Sequence, residues 1–335
     1  MEKKIKIAID AMGGENSPKK IMDGIKISLK NNSDNFFLLY GKKNILENQI
    51  NKNEDLKKFC KIIHSDDSIE DNESPLTAIK KGNSSSMWKS IESQKNEDVD
   101  ISLSAGNTGA MLVMSRMILN TIEGVDKPAL AGLWPNNFGM NIVLDLGANI
   151  ECSEKNLIDF AKMGSALYKS LFEEKKPRVA LLNIGLEEIK GKEVLKKTSQ
   201  MLKKNSNNDF TFCGYIEGNH LMDGNVDVIV TDGFTGNIAL KTAEGTANFI
   251  NKRLKESLNK ISIFFSFINL KKFREQFDPR KYNGAIFLGL NGPVVKSHGS
   301  TDALGFAHSI AMCNKIVKGN LIKKIKSNLN NIDPV

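Results

Sequence analysis

The stretch Val226–Lys241, VDVIVTDGFTGNIALK, passes from a short apolar run into a glycine-rich turn and then into a helical pattern. Val228–Val230 predicts a buried strand, and the helical pattern continues through Leu240. A strand that turns through glycines into a helix leaves several backbone N–H groups pointing at one place, where the helix dipole adds positive potential. The stretch therefore predicts an anion-binding turn at the end of a strand.

The same turn occurs a second time in the chain. Five residues recur with one constant separation of 127 positions. The pairs are Val99 and Val226, Asp100 and Asp227, Gly106 and Gly233, Thr108 and Thr235, and Gly109 and Gly236. Two such turns in one chain predict a site that is assembled from two facing modules.

Strand-like and helix-like segments alternate along the whole chain. The predicted strands are Ile5–Ile9, Phe36–Tyr40, Cys60–His64, Ile101–Leu103, Ile142–Leu146, Val179–Ile184, Phe210–Tyr215, Val228–Val230, Ala285–Leu290 and Val294–Lys296. This alternation predicts an α/β fold with a mainly parallel sheet. Ligands of such sheets bind beyond the carboxyl ends of strands, which is where the glycine turns lie. One helix is expected to run from Pro75 across Ser84–Ser86.

Composition narrows the class of protein. The chain of 335 residues is long enough for one large α/β domain or two ordinary ones. Its net charge of +8 is spread along the chain, which suits an acidic protein or an anionic membrane surface better than nucleic acid. The four cysteines form no CxxC pair, and neither a signal peptide nor an apolar run of about 20 residues is seen. We therefore expect a cytoplasmic protein with reduced thiols.

The segment Lys252–Phe277 departs from the α/β pattern. Apolar residues follow helical spacing at Leu254, Leu258, Ile261, Phe265 and Ile268. Seven basic residues against two acidic ones give the segment a net charge of +5. An apolar centre framed by Lys and Arg suits a helix at a membrane surface. A helix pair packed in a dimer interface explains the apolar spacing equally well.

Neutral polar side chains occupy both glycine turns. Asn107 and Thr108 lie in one, and Thr235 and Asn237 lie in the other. Their amide and hydroxyl groups suit oxyanions, although capping a helix is the commonest task of such residues at these positions. Lys190, in a turn after a strand, could hold a phosphate or polarise a carbonyl.

Further candidates lie near the other strand ends. Lys241 lies one turn after Asn237, and Lys296 and His298 follow the last strand. Taken alone, each lysine is also explained as a solvated charge and the histidine as a packed side chain. Because no serine or cysteine lies beside an evident base, we expect direct transfer between two bound substrates. The residues indicate an α/β enzyme that binds a phosphate-like anion, and they do not name the reaction.

Seven motifs occur in a fixed order along the chain. They are DAMGG at Asp10–Gly14, SAGNTGA at Ser104–Ala110, LDLGAN at Leu144–Asn149, LLNIG with Lys190-Gly191, Glu217-Gly218, DGFTGNIALKT from Asp232 and NGPVVKSHGSTDA from Asn291. Together they resemble the phosphate acyltransferases of bacterial phospholipid synthesis, the PlsX family, over essentially the whole chain. The resemblance implies that inorganic phosphate attacks the thioester of an acyl-acyl carrier protein, giving acyl phosphate and free carrier protein.

The resemblance also implies an architecture and partners. It implies one three-layer α/β/α domain over residues 1–335, like isopropylmalate dehydrogenases and phosphotransacetylases, with an amphipathic helical arm inserted at 250–280. It implies a cytoplasmic homodimer without metal or organic cofactor, which associates peripherally with the membrane through Lys252–Phe277. The product is expected to feed a membrane-bound glycerol-3-phosphate acyltransferase. For the arm, the resemblance favours membrane contact.

Roles for individual residues follow from the same resemblance. The expected catalytic residues are Lys190, Asn237 and His298, and the expected substrate-binding residues are Asp10, Gly13, Gly14, Gly106, Asn107, Thr108, Gly109, Asn149, Gly236, Lys241 and Lys296. The turn 107–109 is expected to bind phosphate, and Lys190 to hold phosphate or the developing oxyanion. Asn237, with the Gly236 amide, is expected to orient the acyl carbonyl. His298 and Lys296 are expected to support the site.

Three alternatives remain open at the level of sequence. A phosphotransacetylase that uses a short acyl-coenzyme A would have the same anion turns, but it would not need the basic amphipathic segment. A dehydrogenase of the related fold is disfavoured because no dinucleotide fingerprint or metal-binding aspartate cluster is visible. A non-catalytic protein that binds carrier protein and membrane would form no acyl phosphate.

Overall fold

The computed structural model describes residues 4–31, 34–96, 98–172, 176–204, 209–257, 280 and 283–330. The described residues form eleven strands and ten α-helices, and all the strands join in one sheet. The strands are β1 Ile5–Asp10, β2 Asn35–Gly41, β3 Cys60–His64, β4 Ile101–Ser104, β5 Ala129–Asn136, β6 Gly139–Leu144, β7 Arg178–Leu182, β8 Thr211–Ile216, β9 Val228–Val230, β10 Ala285–Leu288 and β11 Val294–Lys296. The helices are α1 Lys19–Asn31, α2 Lys43–Asn51, α3 Pro75–Lys81, α4 Ser86–Lys95, α5 Thr108–Leu119, α6 Glu154–Phe172, α7 Glu193–Lys204, α8 Gly233–Ser257, α9 Ala303–Lys318 and α10 Leu321–Asn330.

Two hydrophobic cores cover the opposite faces of the sheet. Ile142 and Leu144 of β6 belong to one core, to which α1, α6, α7, α9 and α10 contribute. Val143, between them, belongs to the other core, against which α3, α4, α5 and α8 pack. Alternate side chains of a strand point to opposite faces of the sheet. A strand that is buried on both faces therefore has a continuous apolar sequence. The predicted three-layer α/β/α architecture is confirmed.

The sheet consists of two parallel parts that run in opposite directions. Its strand order is β3-β2-β1-β4-β11-β10-β5-β6-β9-β7-β8. The pairs β11–β10, β10–β5 and β5–β6 are antiparallel, and the other pairs are parallel. β4 and β9, which lead into the two repeated turns, therefore point in nominally opposite directions. Five strand-to-strand steps separate β4 from β9 in this order.

Two local differences from the sequence expectation have clear physical causes. β5 was not predicted, because it contains Pro135 next to its last residue and lacks a strand-turn-helix signal. The helix expected from Pro75 across Ser84–Ser86 ends at Lys81, because Gly82 takes a positive φ of 45° that breaks the helical path. A separate helix, α4, starts after Ser85, whose hydroxyl caps it.

The amphipathic arm predicted at 250–280 falls largely on residues 258–279, which lie outside the described residues. Its first part, up to Ser257, continues α8. From Gly245 to Ile250 every side chain or glycine of that helix is exposed. Within the described part of the chain, no helix is long and apolar enough to cross a membrane.

Candidate active site

A buried carboxylate at the end of β1 organises the first site. Asp10 accepts hydrogen bonds from the hydroxyls of Ser86 at 2.6 Å and Ser104 at 2.7 Å, and from the Met12 amide at 3.3 Å. Burial raises the pKa of Asp10, and these hydrogen bonds oppose that shift. We call Asp10, Ser86, Ser104 and the turns at Gly13-Gly14 and Gly106 the Asp10 cluster.

The turns of the Asp10 cluster approach each other closely because they lack side chains. A Cβ on Gly13 would lie only 2.7 Å from the Gly106 amide nitrogen. Gly14 has a φ of +81°, and a Cβ there would lie 2.8 Å from the Ala105 carbonyl and 3.0 Å from the Lys20 Nζ. The structure thus brings together Asp10, Gly13, Gly14 and Gly106, as the sequence analysis expected of residues in one site.

Asn107 is the N-cap of α5 and also anchors a neighbouring loop. Its Oδ1 accepts from the Ala110 amide at 3.0 Å, and its Nδ2 donates to the carbonyls of Asp71 at 2.9 Å and Glu73 at 2.8 Å. The helix cap therefore uses the side-chain oxygen of Asn107, and the carbonyls of the acidic loop accept both of its side-chain N–H groups. Thr108 and Gly109 form the first positions of α5, with Thr108 exposed to solvent. Of the turn 107–109, Thr108 and the backbone therefore remain available for the predicted phosphate contact.

Two buried lysines lie beside the Asp10 cluster. Lys296 ends β11 and donates to the carbonyls of Ala105 at 3.4 Å and Ser297. Lys20, in the first turn of α1, donates to the Gly299 carbonyl. They are 8% and 6% exposed, and in the described ranges neither forms an ion pair with a carboxylate. Burial lowers the pKa of Lys296 to about 8 and also lowers the pKa of Lys20.

His298 lies at the mouth of this cationic site. Its Nδ1 is 3.0 Å from the Ser300 hydroxyl and accepts from the Ser300 amide at 3.3 Å, so a neutral ring carries its proton on Nε2. Desolvation lowers the pKa of His298, Glu244 opposes this shift, and nearby lysines reinforce it. One of those lysines is Lys241, which is paired with Glu244 at 2.8 Å on α8. The helix that starts at the second turn therefore passes close to the first site.

A second buried carboxylate, Asp145, follows β6. It accepts from the amides of Leu130 at 3.0 Å, Gly147 at 3.1 Å, Ala148 at 2.9 Å and Asn149 at 2.8 Å, and from the Asn149 side chain at 2.8 Å. Burial raises the pKa of Asp145, and these hydrogen bonds oppose that shift. The Asn149 side chain also donates to the Pro128 carbonyl at 2.7 Å, so both of its N–H groups are used.

The second glycine turn packs directly on this carboxylate. A Cβ on Gly236 would collide with the Asp145 carbonyl oxygen, and a Cβ on Gly233 would lie 2.6 Å from the Asn149 carbonyl oxygen. The Gly236 amide donates to the Asp232 carbonyl at 2.9 Å, so it is not free to bind an acyl carbonyl in this state. We call Asp145, Asn149, Gly233, Gly236 and Asn237 the Asp145 cluster.

Asn237 is the member of the Asp145 cluster with a free donor. Within the described residues its Nδ2 makes one hydrogen bond, to the Leu146 carbonyl at 3.2 Å, and the side chain is exposed. An amide nitrogen carries two N–H groups, so one remains for a substrate oxygen. Among the candidates of this cluster, Asn237 is thus best placed to contact a carbonyl.

Lys190 lies on the turn between β7 and α7. It pairs with Glu187 at 2.8 Å, and this partner raises the pKa of Lys190. The turn is tied to the start of α8 by the ion pair of Lys192 with Asp232 at 3.2 Å. The structure thus places Lys190 on a turn next to the Asp145 cluster, and no hydrogen bond between Lys190 and Asn237 exists in the described chain.

Sequence reasoning missed Lys20, Ser86, Ser104 and Asp145. Two of them carried a signal. A lysine in the first turn of a helix opposes the helix dipole, and Lys20 occupies such a position just after the DAMGG motif. Asp145 lies within LDLGAN and matches Asp10, since each is the acidic residue at a strand end before a glycine turn. The two serines carried no local signal, because only the packing of α4 and β4 on β1 brings them to Asp10.

Two cavities of about 420 Å³ lie away from both clusters. One opens at the amino ends of β4 and β11, where Gln94, Asn120 and Gly292 line it. Substrates of open α/β sheets bind at the carboxyl ends of strands, so this cavity is not the candidate active site.

Comparison with known proteins defines the class. Residues 5–324 match the model of the family described as "Fatty acid synthesis protein". A phosphotransacetylase of Streptococcus pyogenes shares the fold with a TM-score of 0.61 at 16% identity, over 96% of this chain and 95% of that one. The α/β/α architecture is therefore that of the phosphotransacetylases, as predicted.

Closer relatives place the chain within that class. A protein of Pelagibacter ubique named phosphate acyltransferase is 56% identical over 334 residues, covering 98% of this chain and all of that protein. A protein of the same name from Afipia carboxidovorans is 41% identical over 98% of this chain and 95% of its own length. The chain belongs to the fatty acid synthesis protein family matched by its sequence, and the predicted resemblance to the phosphate acyltransferases is confirmed.

Proposed function

We propose that the chain is an acyltransferase that moves a fatty acyl group from acyl-acyl carrier protein to inorganic phosphate, with acyl phosphate as the product for phospholipid synthesis. The observation that carries this proposal is the pair of buried lysines beside glycine turns at Asp10. Such a site favours a small, multiply charged anion. The names of the relatives and the phosphotransacetylase fold support the same reaction class.

In the proposed reaction a phosphate oxygen attacks the thioester carbonyl. A C–O bond forms, the C–S bond breaks, and the carrier-protein thiolate leaves and is protonated. The Asp10 cluster with Lys296 holds the phosphate, and the free N–H of Asn237 donates to the carbonyl oxygen as negative charge develops there. A single well-placed donor of this kind typically contributes about 10²–10³-fold in rate.

An apolar surface next to Asn237 supports an acyl group on this side. The turns and the helix start that follow the adjacent strands β6, β9 and β7 carry large apolar side chains that are each more than half exposed. They are Ile150, Phe234, Ile238, Ile184, Leu186 and Ile189. Exposed apolar groups gathered at one edge of a sheet suit a hydrocarbon chain. In this arrangement the acyl group binds near Asn237 at the start of α8. The phosphate binds at the first site, which α8 approaches at Lys241, one turn after Asn237.

The partners that we propose rest on the net charge of the chain and on the predicted amphipathic arm. An acidic carrier protein suits a chain of net charge +8, and we propose it as the acyl donor. We also propose that two copies associate and that residues 252–277 contact an anionic membrane surface, where the product would pass to a membrane-bound glycerol-3-phosphate acyltransferase. The exposed Phe249 and Ile250 on α8 support an interface at the start of this arm. These assignments give a cytoplasmic enzyme that associates peripherally with the membrane.

The proposed reaction is tested by supplying acyl-acyl carrier protein and phosphate and trapping acyl phosphate with hydroxylamine. We expect phosphate-dependent product with the carrier-protein donor, and at least tenfold lower kcat/KM with a short acyl-coenzyme A. Preference for short acyl-coenzyme A would instead identify a phosphotransacetylase. Carrier-protein binding without any product would identify a non-catalytic binding protein.

Membrane contact needs its own experiment. We expect the chain to sediment with vesicles that contain anionic lipid and to remain in solution with neutral vesicles. Replacing Phe264 and Phe265 with serine should weaken sedimentation, whereas Lys204→Ala on α7, far along the chain from the arm, serves as a control for general charge. Equal sedimentation of all three proteins would contradict a role of the arm at the membrane.

A further inference from the structure

The two lysines beside the Asp10 cluster retain unused hydrogen-bond donors. A protonated lysine has three N–H groups. Lys20 makes one hydrogen bond, to the Gly299 carbonyl, and Lys296 makes two, to the carbonyls of Ala105 and Ser297. Within the described part of the chain, three N–H groups of the two ammonium groups therefore remain for another acceptor.

Both ammonium groups are costly to keep charged where they lie. Each is more than nine-tenths buried and interacts unfavourably with the other, since the charge of Lys20 lowers the pKa of Lys296. A buried charge normally has an ionic partner, because desolvation is otherwise uncompensated. The Asp10 carboxylate favours the charged form of Lys296 and Glu15 favours that of Lys20, but among the described residues neither lysine forms an ion pair with a carboxylate.

Asp71 is the acidic side chain that faces both lysines. Its charge raises the pKa of Lys20 and of Lys296, yet it forms an ion pair with neither of them among the described residues. A Cβ at Gly299 would lie 3.9 Å from its Oδ2, so the carboxylate lies at the edge of the same space. Asp71 itself is exposed, so its side chain can turn into solvent.

The loop that carries Asp71 is held over the site by Asn107. Its side chain donates to the carbonyls of Asp71 and Glu73, and Glu73 is paired with Lys81 at the end of α3. The backbone of the loop is therefore fixed, whereas the Asp71 carboxylate is not. This arrangement explains why the Asn107 side chain is used for anchoring and not for binding an anion directly.

We infer that Lys20 and Lys296 form the phosphate subsite, and that Asp71 is an internal competing carboxylate that inorganic phosphate displaces when it binds. The inference rests on the proposed function for the identity of the anion. A phosphate dianion has more charge and more acceptor oxygens than one carboxylate, so it uses the three free N–H groups better. Lys20 and Asp71 thereby set the affinity for phosphate in opposite directions.

The subsite predicts variants with effects of opposite sign. Lys20→Met keeps most of the length of the side chain and removes its charge, and we expect it to weaken phosphate binding about tenfold or more. Asp71→Asn removes the competing charge and should strengthen phosphate binding roughly three- to tenfold. Glu70→Gln removes the same charge from the same loop without facing the lysines, so it should bind phosphate within about twofold of the parent protein.

The experiment measures binding of inorganic phosphate to the full-length protein by isothermal titration calorimetry and by ³¹P NMR, with acyl phosphate formation followed in parallel. Circular dichroism checks that Lys20→Met is folded, and the exposed Asp71→Asn provides an independent test if it is not. Tighter binding by Asp71→Asn than by Glu70→Gln supports the subsite. Equal binding by these two proteins, or parental affinity in folded Lys20→Met, would overturn it.

The two readouts separate this inference from the proposed reaction. If the binding pattern holds but no acyl phosphate is made, the subsite stands and the reaction is wrong. If acyl phosphate is made while all variants bind phosphate equally, the reaction stands and the subsite is wrong.

Discussion

Asp10 and Asp145 each lie at the carboxyl end of a parallel strand, and each is buried against a glycine turn that starts a helix. Their partners differ. Asp10 accepts from two serine hydroxyls and lies near Lys20 and Lys296, whereas Asp145 accepts from four backbone amides and the Asn149 side chain. The same local architecture therefore gives a lysine-lined site that suits anions in one half of the sheet, and a turn whose carboxylate is fully hydrogen-bonded by amides in the other.

Because their surroundings differ, two copies of one motif can bind two different substrates. A strand-turn-helix unit supplies only amides and a dipole. The charges that decide what binds come from outside the unit, from α1 and β11 at the Asp10 cluster. At the Asp145 cluster the surrounding turns supply exposed apolar side chains instead, so phosphate at the first cluster and an acyl group at the second is the assignment that the two environments favour.

The largest expected effect is on activity in Lys296→Met. Removing this charge should lower kcat/KM for phosphate by about 100-fold or more, because the anion loses a buried ionic partner. The same change should raise stability, since burial disfavours the charged lysine. Activity with varied phosphate and the midpoint of chemical denaturation measure the two effects. Loss of activity together with lower stability would instead indicate a structural role.

The stability effect has a defined pH dependence. In the folded chain the pKa of Lys296 is lowered from 10.5 to about 8, so between these values the unfolded chain binds more protons. Stability of the parent protein should therefore rise from pH 8 toward pH 10.5 relative to Lys296→Met, by roughly 3 kcal/mol in total. Denaturation of both proteins across this range checks the sign, and a difference that does not change with pH would contradict it.

Replacing each of the two buried aspartates with asparagine should lower the stability of the folded protein by different amounts. Asp145→Asn turns one of its acceptor oxygens into a donor that faces backbone N–H groups, and we expect a loss of about 2–4 kcal/mol. Asp10→Asn should cost less, about 1–2 kcal/mol, because the serine hydroxyls can rotate and accept. Chemical denaturation of both variants measures the loss of stability. A greater loss for Asp10→Asn than for Asp145→Asn would contradict the difference described between the two clusters.

The paired glycines Gly106 and Gly233 provide a matched test of packing. A Cβ on Gly106 would come closest to the flexible Met87 side chain, at 2.8 Å, whereas one on Gly233 would meet the Asn149 backbone at 2.6 Å. We expect Gly106→Ala to cost about 1 kcal/mol and Gly233→Ala about 2–3 kcal/mol. Thermal or chemical denaturation distinguishes them, and equal losses would show that the second turn is less tightly packed than the structure indicates.

The smallest expected effect is the pH dependence of phosphate affinity. The apparent KM for phosphate should rise several-fold between pH 7.5 and about 9, because Lys296 loses its proton around pH 8. The charged groups that face Lys296 are Asp71, Lys20, Asp10 and Lys241. Lys296→Met should show a flat profile in this range, and a parallel rise in that variant would assign the titration to another group.

The sequence predicted the strand-turn-helix units well because their information is local. The separation of 127 positions between paired residues identified both glycine turns, and the structure places Asp10, Gly13, Gly14 and Gly106 together. It did not predict the antiparallel centre of the sheet. β5 carries no turn signal, and the opposite direction of the two parallel parts depends on strand pairing across distant parts of the chain.

The burial of charged side chains also could not be predicted from the sequence. The position of Lys20 in a first helical turn is a local signal, but no local pattern shows that Lys20 or Lys296 is buried, since only the packing of α1, β4 and β11 removes them from water. Asn107 shows the converse. Its motif suggested direct phosphate binding, whereas its side chain is used by the helix cap and the 70–73 loop.

Binding of phosphate at the Asp10 cluster and of the acyl group at the Asp145 cluster can be tested separately. The most direct test is to measure acyl phosphate formation by Lys296→Met and Asn237→Ala while phosphate and acyl donor are varied separately. We predict that Lys296→Met raises the KM for phosphate and leaves the KM for the donor within about twofold, while Asn237→Ala lowers kcat by roughly 10²-fold with little change in the KM for phosphate. Parental turnover in Asn237→Ala, or a raised phosphate KM in both variants, would contradict the claim.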